Sequence, residues 1–481
     1  CQHCAPSTGS VPTMSERRTL TTGRVVFLVV AAAAPMAAMI GNVPLALIRG
    51  NGAGLPAAYA ISAVVLLCFS VGFAAIAQQV YSTGAFYTYI GLALGKPPGI
   101  AAAYVAVVAY TSLACGLSGA FGYFTHLVFA DSGIDIPWYV FTGVAVVIVA
   151  ILGFRNADLS AKVLGTLMVL EFAFLVVFDG LVVGQKGAAA VPLESFTPTQ
   201  VFSGSLGIAM MFAFSSFIGF ESAALYGEET KDPRRSIPRA TFIAVSIIAV
   251  FYVTTSWIVV GAAGGVDAPA LAQTELGNLL FTLAREYGGT VLYDGTAVLL
   301  CTSVLASYLA VHNAASRYLF ALGRERVLPV WLGRIHPRHA SPHIGSITAS
   351  VVAAVSLTGF AVAGADPYLS YAAGAIGLGT LGVIALQAAA ALSVVVFFIG
   401  HPDRSVWRTA IAPGIGFLGF TTGLILAGTH YSVLTGSDSA VVNAVPVVLI
   451  LAAILGVLVA LRLRRTDPTT YAGIAAAYAR S

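Results

Sequence analysis

Apolar runs of about 20 residues or more recur twelve times along the chain, near 25–48, 56–80, 99–129, 136–154, 160–184, 201–226, 238–262, 292–321, 343–363, 368–399, 410–434 and 441–463. A run of that length crosses the hydrocarbon of a bilayer as a helix, where backbone N–H and C=O groups must be satisfied without water. The pattern predicts an all-α polytopic membrane protein with 12 transmembrane helices, and composition excludes the soluble alternative. The sequence is 58% hydrophobic and 9% charged, against roughly a quarter charged in a soluble domain. Connections are expected to be short, apart from a cytoplasmic stretch around 323–342 and a loop around 263–291.

The basic residues set an orientation. With the N-terminus inside, only Arg49, Lys186 and Arg285 of the 24 basic residues fall outside, so the positive-inside rule predicts both termini cytoplasmic. The net charge of +4 thus reports topology, and no nucleic-acid partner is expected. Among the cysteines, Cys68, Cys115 and Cys301 lie inside apolar runs, which predicts no disulfide framework. Cys1, His3 and Cys4 lack a second ligand pair, so no metal site is expected. The first apolar run is of full transmembrane length and no A-x-A site follows a short core, so no cleavable signal is expected. Residues 1–13, ahead of Met14, read as an upstream extension.

Two of the twelve helices should be interrupted. In VVFLVVAAAAPMAAMIGNVPLALI, Pro35 lacks an N–H and its ring conflicts with the preceding turn, while Gly41, Asn42 and Pro44 weaken the helix further on. In the sixth, Ser215, Ser216 and Gly219 stand at membrane depth just before the carboxylate Glu221. Unwound backbone there is tolerated only where it is buried in protein or lines a cavity, and interrupted helices in corresponding halves point to a transport site. Isolated kinks are the plainer alternative.

The string FIGFESAALYGEETKDPRRSIPRA resembles the sixth-helix signature of the amino acid, polyamine and organocation (APC) superfamily of transporters. SVLASYLAVHNAASRYLFALGRERVLP, from Ser303 to Pro329, resembles its eighth helix and following loop, and QQVYSTGAFYTYIGLALGKPPG resembles its second-helix exit. The resemblance implies a five-plus-five inverted repeat of the LeuT type: a ten-helix core over 25–399, with repeats at 25–184 and 201–399. It also implies two peripheral helices over 410–463 facing lipid or a second protomer, so a monomer or homodimer, with cytoplasmic tails at 1–24 and 464–481.

The implied function is a secondary active permease of the cell membrane, moving an amino acid or related amine by alternating access, with proton coupling or exchange. A polyamine or drug exporter, a channel, and a receptor that keeps the fold without turnover are the competing readings. The substrate would sit between the breaks, among Ala34, Pro35, Met36, Ala38, Tyr110, Phe214, Ser215, Ser216, Phe217, Gly219 and Phe220. This chain departs from many members in carrying alanines around Pro35 and Met36 where they have a glycine-rich break.

Four residues are candidates for coupling or gating. Glu171 lies halfway down the fifth helix, where several proton-coupled members carry a lysine, and reads as either a proton carrier or a structural acid. Lys162, nine residues away, falls on the opposite face and snorkels toward the headgroups. Glu221 could pair with a substrate ammonium, titrate as a gate, or bond to neighbouring backbone. Thr302 and Ser303 correspond to the hydroxyls that bind sodium in sodium-coupled relatives, or bond back to their own helix. The coupling ion is expected to be H+, with Na+ left open, and no other cofactor is implied. No H-E-x-x-H, P-loop or nucleophile triad is present, so no catalysis is expected.

Overall fold

The computed structural model describes residues 21–79, 85–155, 161–221, 230, 232–339, 341–402, 404–436 and 443–474. The expected tail before residue 21, the charged loop with Glu228, Glu229 and Lys231, and the end of the C-terminal tail lie outside the described residues, as does the side chain of Lys162. The described residues form a helical bundle with eleven helices long and apolar enough to cross a membrane. A twelfth apolar helix, Leu206–Ser216, is shorter, and it is the sixth in order, where the sequence predicts a break.

The first crossing consists of α1 (Thr22–Ala32) and α2 (Pro35–Arg49). It is followed by α3 (Leu55–Gln79), a short α4 (Ala85–Leu94), α5 (Lys96–Asp131), α6 (Trp138–Arg155) and α7 (Ala161–Lys186). The second half runs through α8 (Leu206–Ser216), α9 (Pro233–Ala262), α10 (Ala268–Glu275), α11 (Leu279–Arg324) and α12 (His343–Val362). Its last long helices are α13 (Ala373–Phe397), α14 (Ala412–Thr429) and α15 (Val447–Thr466), followed by one short turn of helix, Pro468–Gly473.

The stretch around 263–291 is not the plain loop that its charges suggest. It holds α10 and the first turns of α11, which kinks at Gly289 where φ is 67°. The reason is amphipathic: Leu279, Leu280, Leu283 and Tyr287 are buried, while Arg285 bonds Asp131 and lies over the ring of Tyr293.

The bundle sorts its apolar residues in two directions. Around the breaks, Tyr59, Phe69, Phe212, Phe217 and Tyr252 are fully buried. On the outer helices, Val144, Val147 and Ile151 of α6, Val351 and Val355 of α12, and Leu451, Ile454 and Leu458 of α15 are exposed. Bands of that kind suit lipid and not water. Close approach inside the bundle relies on small residues: a Cβ at Gly379 of α13 would meet the Ala109 carbonyl of α5 at 2.6 Å.

The seam between α7 and α9 fixes the height of the site. Phe172 packs on Phe251 with ring centroids 4.4 Å apart, Thr255 donates to Asp179 at 2.7 Å, and the Lys186 ammonium caps the last carbonyls of α9 at Gly261 and Ala262, both at 2.9 Å. Contacts seven residues apart on α7 hold it in register and present Glu171 to the bundle interior.

Candidate functional site: two facing helix breaks

The alanine run before Pro35 ends in strained backbone. Proline disfavours the helical region for the residue before it, and Ala34 adopts φ 43° and ψ 71°, a left-handed conformation that costs a non-glycine residue ~1–2 kcal/mol. The Ala33 carbonyl, freed by the break, accepts the Tyr252 hydroxyl of α9 at 3.0 Å. On the other side α2 starts afresh with Pro35 in its first turn, where the missing N–H costs nothing.

A carboxylate occupies the N-terminus of α2. Glu171 Oε2 accepts the Met36 N–H at 3.3 Å and the Ser303 hydroxyl at 2.9 Å, while Ser303 Oγ accepts the Ala37 N–H at 3.4 Å. One titratable side chain thus joins α2, α7 and α11, and it sits where the helix dipole favours negative charge. Thr302, the neighbour of Ser303, turns its hydroxyl back to the Leu299 carbonyl of its own helix at 2.9 Å.

The second break follows α8. Ser205 caps the start of that helix through the Ile208 N–H at 3.4 Å, and its end tightens into three-residue turns from Phe217 to Phe214 and from Ile218 to Ser215. Gly219 then takes φ 115°, a conformation that a Cβ would strain. Glu221 folds back onto this turn: Oε2 accepts the Gly219 N–H at 3.0 Å, and Oε1 accepts the Tyr110 hydroxyl at 2.9 Å. Tyr110 is stacked on Tyr318 of α11, with centroids 5.2 Å apart.

Ser216 ties the two breaks together. Its hydroxyl donates to the Phe212 carbonyl at 3.0 Å and accepts from Asn42 Nδ2 at 3.0 Å. Because its single proton is committed, the Tyr59 hydroxyl 2.9 Å away is the donor in that pair. Beyond α2, Tyr368 donates to the Gly41 carbonyl at 2.8 Å and stacks flat on Tyr123, with centroids 4.7 Å apart.

The structure therefore gathers Ala34, Pro35, Met36, Glu171 and Ser303 at the first break, and Ser215, Ser216, Phe217, Gly219, Glu221 and Tyr110 at the second. Ala38 is buried one turn into α2. The aromatic residues diverge: Phe217 packs on Tyr252 at 5.3 Å and Phe220 on Phe69 at 6.0 Å, whereas Phe214 faces away, against Phe420 of α14 at 5.2 Å. Four participants were not picked out from sequence. Asn42 reads there only as a helix weakener, and Tyr59 and Tyr252 look like any membrane tyrosine. Asp179, a carboxylate inside the apolar fifth run, is a visible signal; it is buried on Thr255 with Oδ1 unbonded. Among the described residues no group of three His, Cys, Asp or Glu is placed to hold a metal ion.

Comparison with known proteins points to one family over most of the chain. The family model described as amino acid permease matches residues 20–460. An uncharacterized transporter of Mycobacterium tuberculosis is 27% identical over 371 residues, covering 76% of this chain and 77% of its own. The branched-chain amino acid permease BcaP of Bacillus subtilis is 24% identical, over 61% of this chain and 65% of its own. The low-affinity putrescine importer PlaP of Escherichia coli is also 24% identical, over 63% and 67%.

Proposed function

The chain belongs to the amino acid permease family, and from that premise we propose that it is a secondary active transporter moving an amino acid or related amine across the cytoplasmic membrane, by alternating access, with Glu171 carrying a coupling proton. The observation that supports this most is the junction at Glu171, where one ionisable group bonds α2, α7 and α11 at once. A buried carboxylate without a cationic partner is costly in a membrane, and such groups mark proton and ion routes.

The donor set favours a proton over sodium. A sodium ion asks for a cage of oxygen ligands, but the N–H groups of Met36 and Ala37 converge on this position and would repel a cation. A proton on Glu171 leaves both of those bonds in place and changes only the charge. Gain or loss of that charge alters the attraction between α7 and the positive end of α2, which biases how the two helices sit against each other. The five-plus-five arrangement of the family supplies the moving parts, and the basic side would face the cytoplasm.

The test is uptake of labelled amino acids and amines into proteoliposomes with an imposed proton gradient and with sodium varied. Wild type should accumulate substrate with the gradient, and Glu171→Gln should lose accumulation while counterflow persists. Accumulation that needs sodium and ignores the proton gradient would remove the coupling role.

A further inference from the structure

At the first break the protein's own Glu171 and Ser303 occupy the backbone donors that a substrate carboxylate would use, and at the second Glu221 takes the Gly219 N–H. In transporters with broken helices, the anionic group of a substrate is held at the N-terminus of a half-helix. Here Pro35 offers no N–H, Met36 donates to Glu171, Ala37 donates to Ser303, and the Ala38 N–H already closes onto the Ala34 carbonyl at 3.0 Å. At the second break the Gly219 N–H is taken by Glu221. A substrate carboxylate placed at α2 would meet no free donor whether Glu171 is protonated or charged, and a like charge as well when it is charged.

The same arrangement is short of positive charge. Among the described residues the ion pairs are His126 with Asp135 and Arg285 with Asp131, and neither Glu171 nor Glu221 is paired with a base. Among the described residues their donors are neutral: Met36 N–H and the Ser303 hydroxyl at Glu171, and the Gly219 N–H, the Tyr110 hydroxyl and its own backbone N–H at Glu221. Beside Glu221, away from the N–H groups of the first break, Tyr110 stacks on Tyr318 with centroids 5.2 Å apart, an aromatic wall that suits an ammonium and its alkyl chain.

We infer that the substrate is an amine that lacks a carboxylate, a monoamine or diamine, and that the parent α-amino acids are rejected. This rests on the transport site proposed above and narrows its substrate class. Glu171 acts on selectivity as a positioning residue, by filling the N-terminus of α2.

The test uses matched pairs that differ by one carboxylate: putrescine and ornithine, cadaverine and lysine, isoamylamine and leucine, tyramine and tyrosine. Binding to the purified full chain in detergent is measured by calorimetry, and uptake in proteoliposomes, each at acidic and at alkaline pH. In at least one pair the amine should bind about tenfold or more tightly than its amino acid. Glu171→Ala, which frees the Met36 N–H, should shrink that ratio. Glu171→Gln removes the charge, but its amide oxygen still accepts from Met36, so it should shrink the ratio less than Glu171→Ala. Ser303→Ala frees Ala37 and should move the ratio in the same direction as Glu171→Ala, which keeps the test alive if that variant does not fold.

An amino acid that binds as well as its amine at either pH overturns the inference, and if it is also taken up the transport reading stands. Amine binding without uptake keeps the selectivity and sinks the transport reading. Binding of neither member of any pair overturns both.

Discussion

Replacing Ser216 by alanine removes the oxygen on which two buried donors converge, Asn42 Nδ2 and the Tyr59 hydroxyl. Both donors are in the bundle interior, so neither finds water in exchange. In soluble proteins an orphaned donor costs ~1–3 kcal/mol, but interhelical bonds in membranes average ~0.6 and reach ~1.7 kcal/mol. Two donors therefore place the loss at about 1–3 kcal/mol for Ser216→Ala. Tyr59→Phe removes one donor and should cost about half as much. The double variant is the informative one. Once Ser216 is gone the Tyr59 hydroxyl is a liability, so adding Tyr59→Phe should recover about 0.5–1.5 kcal/mol, a coupling of opposite sign to simple addition. Thermal unfolding in detergent for the four members of the cycle measures it, with uptake recorded in parallel, because Ser216 also holds α2 to α8. Additive losses would refute the shared-acceptor reasoning.

Other consequences can be checked in the same way. Lys186→Met keeps the aliphatic stem but leaves the Gly261 carbonyl uncapped and Ala262 with only the Tyr287 hydroxyl at 3.4 Å; it should cost about 1 kcal/mol in thermal stability without changing substrate selectivity. Tyr110→Phe strips Glu221 of its one side-chain donor among the described residues and should lower transport rate several-fold with smaller loss in stability, as read from kcat and KM in proteoliposomes. Burial, with His336, Arg338 and Arg155 close by, pushes the His339 imidazole below its ordinary value. A base with a lowered folded pKa binds fewer protons folded than unfolded, so this loop is at its most stable above the ordinary histidine value of about 6.5 and loosens as pH falls through it. Hydrogen exchange around 334–339 should accelerate on acidification, and His339→Gln should flatten that dependence.

The spans were legible in the sequence because hydrocarbon thickness dictates a length and the chain obeys it. The first break was legible through Pro35, whose chemistry forbids a continuous helix, and the second through the serines and Gly219 beside Glu221. Glu171 could be flagged as an acid in an apolar run, but its partners could not: Met36 and Ser303 lie 135 and 132 residues away, and only packing brings them together. Tyr59 and Tyr252 carry no local signal, since a membrane tyrosine that bonds a broken helix has the same sequence surroundings as one that fills space. The stretch around 263–291 misled for another reason. Its charges mark one face of amphipathic helices, and the buried face contributes Leu279, Leu283 and Tyr287 to the core.

The central claim is that Glu171 carries the coupling proton, and gradient-driven uptake by Glu171→Gln tests it most directly. Proteoliposomes containing the variant should show counterflow but no accumulation when a proton gradient is imposed, while wild type accumulates. Accumulation by Glu171→Gln equal to that of wild type would contradict the account and leave Glu171 as a structural acid at the start of α2.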